Sequence, residues 1–146
     1  MKRRREFLLS CLSLAALPAL ARAAQSPTVV VYKSPYCGCC GGWVAHMKAN
    51  GFDVRIVDVA DVSPHRSRLG VPAQLASCHT AEVSGYAIEG HGPAADVRRL
   101  LRERPKVAGL SVPAMVPGSP GMSGAPVPFE TLAFDARGKF EVFARH

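Results

Sequence analysis

Beyond its first two dozen residues the chain contains no apolar run that could cross a bilayer. It has no internal repeat. It also lacks the charge excess that nucleic-acid binding demands. The formal charge of +7 is concentrated at one end, because residues 1–23 hold five of the 18 basic residues and one of the 11 acidic ones. Residues 24–146 are left with +3, spread along the chain, and give no case for a nucleic-acid partner. Arg98, Arg99, Arg102, Arg104 and Lys106 form one local basic run, read as a solvated helix face.

The N-terminus reads as a targeting segment. Lys2-Arg3-Arg4-Arg5 is a positive n-region, Phe7 to Leu20 a short apolar stretch broken by Pro18, and Ala21-Arg22-Ala23 a small-x-small cleavage signal. Residues 1–23 are therefore expected to be a cleaved signal peptide and residues 24–146 a single exported domain, periplasmic, with no stable membrane insertion after cleavage. Arg4-Arg5-Glu6-Phe7-Leu8 is similar to a twin-arginine signal. Leu8-Leu9-Ser10-Cys11 has the form of a lipoprotein box, but almost nothing apolar precedes Cys11, which is read as discarded with the signal.

Thr28 to Lys33 is β-branched and apolar, a buried-strand pattern, and Gly41 to Asn50 reads as a short helix closed by Gly51. Phe52 to Asp58 is a second strand, so the opening unit is β-α-β with parallel strands. Ser63-Pro64 reads as an N-cap and first helical position of a short helix to Leu69, and Pro72 as a cis-proline candidate. A hairpin follows, Thr80 to Val83 and Tyr86 to Glu89 around Ser84-Gly85, then a helix from Pro93 with Val97, Leu100 and Leu101 on its apolar side. Gly109 to Pro128 is rich in Gly and Pro and reads as irregular. Leu132 to Asp135 and Lys139 to Phe143 read as a closing hairpin. The order β-α-β, then β-β-α, predicts one α/β domain of thioredoxin-like type with a Gly/Pro-rich loop and an appended C-terminal hairpin.

Four cysteines remain after Cys11 is set aside, and three of them, Cys37, Cys39 and Cys40, occupy four residues. Two structural disulfides would be the simplest use of an even number in an oxidising compartment. The spacing argues otherwise, because adjacent Cys39 and Cys40 bridge poorly and three thiols on one turn staple nothing across a fold. Cys37 and Cys40 have the C-x-x-C spacing of redox chemistry at a strand-to-helix turn, where unpaired amides and partial positive charge favour a thiolate. Cys39 adds a thiol that a dithiol enzyme does not need. With Cys78 brought close by a thioredoxin-like fold, the four sulfurs make a soft-donor cage of the kind that selects Cu(I), Zn or iron–sulfur clusters. Three cysteines in four residues disfavour a structural Zn site, and an oxidising compartment disfavours an iron–sulfur cluster.

Around this cage, His79 is read as a metal ligand, a proton donor to sulfur or a turn cap, and His91 as a weaker candidate on a flexible turn. Met115 and Met122 flank Pro117-Gly118-Ser119-Pro120-Gly121, and a thioether over thiolates would favour copper, although methionine more often fills an apolar gap. Met47 is assigned to the core, and His46, His65 and His146 to the surface.

These residues carry a resemblance. Tyr32-Lys33-Ser34-Pro35-Tyr36-Cys37-Gly38-Cys39-Cys40, Trp43, Gly70-Val71-Pro72, Ser77-Cys78-His79-Thr80, Gly85-Tyr86, Glu89-Gly90-His91, Gly109-Leu110, Val112-Pro113 and Gly118-Ser119-Pro120-Gly121-Met122 together resemble the CopG-type copper-resistance family of exported proteins. The resemblance implies a thioredoxin-like fold and Cu(I), in one or several ions, held by Cys37, Cys39, Cys40 and Cys78, which also interconvert with disulfides. It implies copper donor or acceptor proteins as partners. The alternative from another class is a periplasmic thiol–disulfide oxidoreductase in which Cys37 attacks and Cys40 resolves.

Overall fold

The computed structural model of the chain describes residues 27–146. The signal peptide expected over residues 1–23, with Cys11, lies outside the described residues. Seven strands and three α-helices follow in the order β1 (Val29–Lys33), α1 (Gly38–Ala49), β2 (Val54–Asp58), α2 (Ser63–Arg68), β3 (Thr80–Val83), β4 (Tyr86–Gly90), α3 (Ala94–Glu103), β5 (Gly109–Val112), β6 (Glu130–Phe134) and β7 (Phe140–Arg145). The strands form one mixed sheet in the order β2-β1-β3-β4-β5-β6-β7. β1 pairs with β2 and β4 with β5 in parallel, each pair joined by a helical crossover, and the other neighbours are antiparallel.

Strand alternation divides the core between the two sheet faces. Val29 and Val31 of β1, Tyr86 and Ile88 of β4, and Ala133 of β6 pack with Trp43, Val44 and Met47 of α1 and Val97 and Leu100 of α3. Ala87 and Phe134, the alternate positions of β4 and β6, pack on the other face with Val71 and Leu75 from the chain after α2. The cysteine turn is thus held at the end of β1 where α1 crosses one face, while the α2 segment comes from the other.

The structure corrects four readings of the sequence. α1 begins at Gly38, three residues before the expected start, so Cys37 is its N-cap and Cys39 and Cys40 lie in its first turn. Ser63 is inside α2 rather than its cap, and its N–H is held by Asp61 Oδ1 at 2.9 Å. Pro72 follows a trans bond, since no peptide among the described residues is cis. β5 lies at the start of Gly109 to Pro128, a stretch expected to be irregular for its richness in Gly and Pro. In the sheet Gly109 lies against the Ala87 backbone so closely that a Cβ would have no room. The glycine there permits strand contact.

Candidate metal centre

α1 starts without an acidic residue in its first turn and without a side-chain cap. Its partial positive charge therefore faces sulfur, which is the environment that favours thiolate over thiol. Cys37 and Cys40, at the cap and three residues on, are joined in a disulfide. Cys39 and Cys78 are free and half-buried. Cys39 Sγ lies 3.5 Å from Cys37 Sγ and 3.8 Å from Cys78 Sγ. All four sulfurs fall within 4.8 Å of one another. Cys78 reaches them from the segment between Leu75 and β3, which the sheet brings back beside β1.

Two histidines close the inner side. His91 Nε2 is 3.0 Å from Cys78 Sγ, and its Nδ1 is 2.8 Å from the Pro120 carbonyl. The carbonyl can only accept, so Nδ1 carries the hydrogen and Nε2 is left to accept the Cys78 S–H. His79 Nδ1 lies 3.4 Å from the same sulfur, and its Nε2 has no hydrogen-bond partner among the described residues. Cys78, His79 and His91 form a second group of donors within 4.8 Å. His79 packs between Trp43 and His91, with ring centroids 4.6 and 5.1 Å away, and Trp43 Nε1 donates to the Gly92 carbonyl at 2.8 Å.

Burial sets the charge states. It pushes the Cys78 thiol up to about 12, with neighbouring Cys39 adding to the effect. Burial, then His91, takes His79 down to about 3, and burial also lowers His91. At neutral pH the inner wall is therefore a protonated thiol against two neutral imidazoles. A metal that displaced the Cys78 proton would recover the cost of making that thiolate.

The sequence had placed His91 on a flexible turn as a weaker candidate; it is fully buried against Cys78. Met115 is exposed. Met122 is half-buried and follows Gly121, whose backbone lies on Gly42 and Trp43 at the start of α1. The surface histidines have structural partners. His46 Nε2 accepts the Ala94 N–H at 3.1 Å, His65 stacks on Tyr32, and His146 pairs with Asp96 at 2.9 Å. Sequence reasoning missed Arg66 and Glu89, which form an ion pair behind Cys78. The signal was available: Glu89 follows apolar Tyr86-Ala87-Ile88 within one strand, and a buried carboxylate needs a partner.

The Gly42–Gly121 approach makes one substitution informative. A Cβ on Gly42 would sit 2.8 Å from the Gly121 carbonyl oxygen and 2.9 Å from its Cα, both backbone atoms. Gly121 has φ +85 and cannot shift into an ordinary conformation without remaking the loop. Gly42→Ala is expected to lose about 1–3 kcal/mol in urea unfolding, the usual cost of overpacking. An unchanged midpoint would show that the loop yields freely.

Residues 75–122 match the family model described as "Protein of unknown function, DUF411". The fold is similar to two solved structures, both 40% identical in sequence. "Copper resistance protein copG- Form 2" has a TM-score of 0.78 over 83% of this chain and 98% of that one. "Copper resistance protein copG- Form 1" has a TM-score of 0.77 over 82% and 96%. No curated protein matches.

Proposed function

The chain belongs to the CopG family of copper resistance proteins, and on that premise we propose that it is an exported, periplasmic Cu(I)-binding protein for copper tolerance. The observation that carries this reading is the convergence of all four cysteine sulfurs within 4.8 Å. Soft thiolates at one point suit Cu(I), and sulfurs that bridge several ions share their negative charge among them. Cys37, Cys39, Cys40 and Cys78 are the ligands, with His79 and His91 available at the inner wall; Met122, half-buried in the loop that covers the start of α1, is a further soft donor to test. Copper arrives and leaves as cargo, exchanged with donor or acceptor proteins. The β1-α1-β2 unit, the β3-β4 hairpin and α3 support a thioredoxin-like description of the domain over residues 24–146, with β6 and β7 as its added hairpin.

Binding is linked to oxidation state. The Cys37–Cys40 disulfide withholds two of the four donors. Its reduction by two electrons and two protons returns two thiols, and copper uptake then releases thiol protons. His91 Nε2 already accepts the hydrogen bond of the Cys78 thiol, whose proton copper would displace.

A second reading is favoured by the same disulfide: a C-x-x-C pair at a helix N-terminus is fit for thiol–disulfide exchange, with Cys37 attacking and Cys40 resolving. The test that separates the readings begins with anaerobic titration of the reduced protein by Cu(I) and by Zn(II). Several Cu(I) ions per chain are expected to bind, with proton release and loss of accessible thiols. Zn(II) should compete poorly, and the oxidised protein should bind copper weakly. Equal affinity for both metals would reject the copper reading.

A further inference from the structure

Cys78 lies in a stretch, Ala76 to His79, that belongs to no helix or strand. The residue before it is nevertheless held on every side. Ser77 N–H donates to Glu89 Oε1 at 2.6 Å. Arg66 Nη2 donates to the Ser77 carbonyl at 2.7 Å, while its Nε donates to the same Glu89 oxygen at 2.8 Å. One guanidinium and one carboxylate thus grip both backbone polar groups of a single residue. The Ser77 hydroxyl donates to the Ala114 carbonyl, and Ala114 N–H donates back to the Ala76 carbonyl at 3.2 Å. Gly90 is shaped to the same point: it adopts φ +71, and a Cβ there would lie 2.7 Å from the Ser77 side chain.

A buried ion pair is a poor device for stability alone, because desolvation offsets most of its attraction. Glu89 is fully buried and the Arg66 side chain only 15% exposed, in a place where the strand is otherwise apolar. An apolar pair would fill that space without the desolvation cost. Directional bonds to a loop backbone are what the charged pair adds. Both members stand on regular elements, Arg66 on α2 and Glu89 on β4, which approach the loop from one face of the sheet and from within it.

We propose that the Arg66–Glu89 pair is a positioning clamp that sets the sulfur of Cys78 against the Cys37-Cys39-Cys40 turn, an inference that rests on the reading of Cys78 as a copper ligand. Arg66 and Glu89 touch no sulfur. They act as outer-shell groups do at metal sites, by holding the element that presents the ligand, and loss of such groups costs about 10–100-fold in metal affinity.

The test uses Arg66→Lys and Glu89→Gln, with Arg68→Ala as control. Lysine keeps the charge but lacks the planar fork whose Nε and Nη2 reach Glu89 and the Ser77 carbonyl from two separate nitrogens. Glutamine keeps the shape but leaves Arg66 without a counter-charge. Arg68 pairs with Glu82 at the surface, so its loss removes a cation without touching Ser77. Iodoacetamide alkylation of Cys78 and Cys39 is followed by mass spectrometry in the metal-free protein with Cys37–Cys40 oxidised. Cu(I) affinity of the reduced protein is then measured against a chelator. Both clamp variants are expected to speed alkylation of Cys78 by about fivefold or more, through local opening, with Cys39 unchanged. Their Cu(I) affinity should fall about 10–100-fold. Arg68→Ala should change neither. Unchanged Cys78 alkylation, or equal acceleration at both thiols, would overturn the clamp, and if one variant fails to fold the other decides. Should the parent protein bind no Cu(I) while selective exposure of Cys78 persists, the copper reading falls and the clamp on Cys78 stands.

Discussion

Cys78→Ser is expected to weaken Cu(I) binding by more than about 100-fold, as much as Cys39→Ser does, although the two residues are 39 positions apart. Outer-shell partners alone are worth about 10–100-fold, so removal of a ligand should exceed that range. Serine keeps the shape and a hydroxyl that can donate to His91 but replaces a soft donor with a smaller, hard one. A comparable loss is expected because Cys39 Sγ, 3.5 Å from Cys37 Sγ and 3.8 Å from Cys78 Sγ, belongs with Cys78 to one set of four converging sulfurs. The exchange-enzyme reading expects another pattern. There Cys37→Ser abolishes reduction of a disulfide substrate, and Cys39→Ser is indifferent. Competition titration and a thiol-exchange assay on the same serine variants decide between them. Full copper capacity in Cys39→Ser, beside rapid thiol exchange, would replace the copper site with an oxidoreductase.

Trp43→Ala should cost about 3–5 kcal/mol of stability, the range for emptying a fully buried aromatic position. Trp43 has no exposed surface, and its ring packs on His79. Its indole also donates to the Gly92 carbonyl, next to His91, so the substitution orphans an acceptor as well as opening a cavity. Trp43→Phe separates the two effects: it retains most of the ring and should lose only about 1–3 kcal/mol, the cost of the unpaired carbonyl. Because the chain has a single tryptophan, unfolding of both variants must be followed by circular dichroism rather than indole fluorescence. A loss below about 1 kcal/mol for Trp43→Ala would mean that the neighbouring helices and loops collapse into the space, contrary to the backbone packing of Gly42 and Gly121 around it.

The elements that the sequence places best are those whose signal is local. Val-Val-Val in β1, the Ser84-Gly85 hairpin and the apolar spacing of α3 each specify their conformation within a few residues, and the structure places each within a residue or two of its expected limits. β5 escaped because Gly109 and Pro113 carry the same local meaning in a loop as in a strand pressed against a neighbour. The early start of α1 escaped for a similar reason. Gly38 is a poor helix residue, and only the disulfide across the first turn and the loop folded over Gly42 explain a helix that begins there.

By itself the sequence determined the chemistry on offer: three thiols on one turn, a fourth downstream, and a β-α-β frame to carry them. It did so because residue identity, strand alternation and helix periodicity are properties of short segments. Which donors meet was decided by tertiary structure. His91, read as a residue on a mobile turn, is buried on Cys78 because β4 and the Pro120 loop converge there. Arg66 and Glu89, 23 residues apart, find each other and Ser77 because α2 packs over β4. Distances between side chains on different elements depend on how the whole sheet is stacked, and no window of neighbouring residues encodes that.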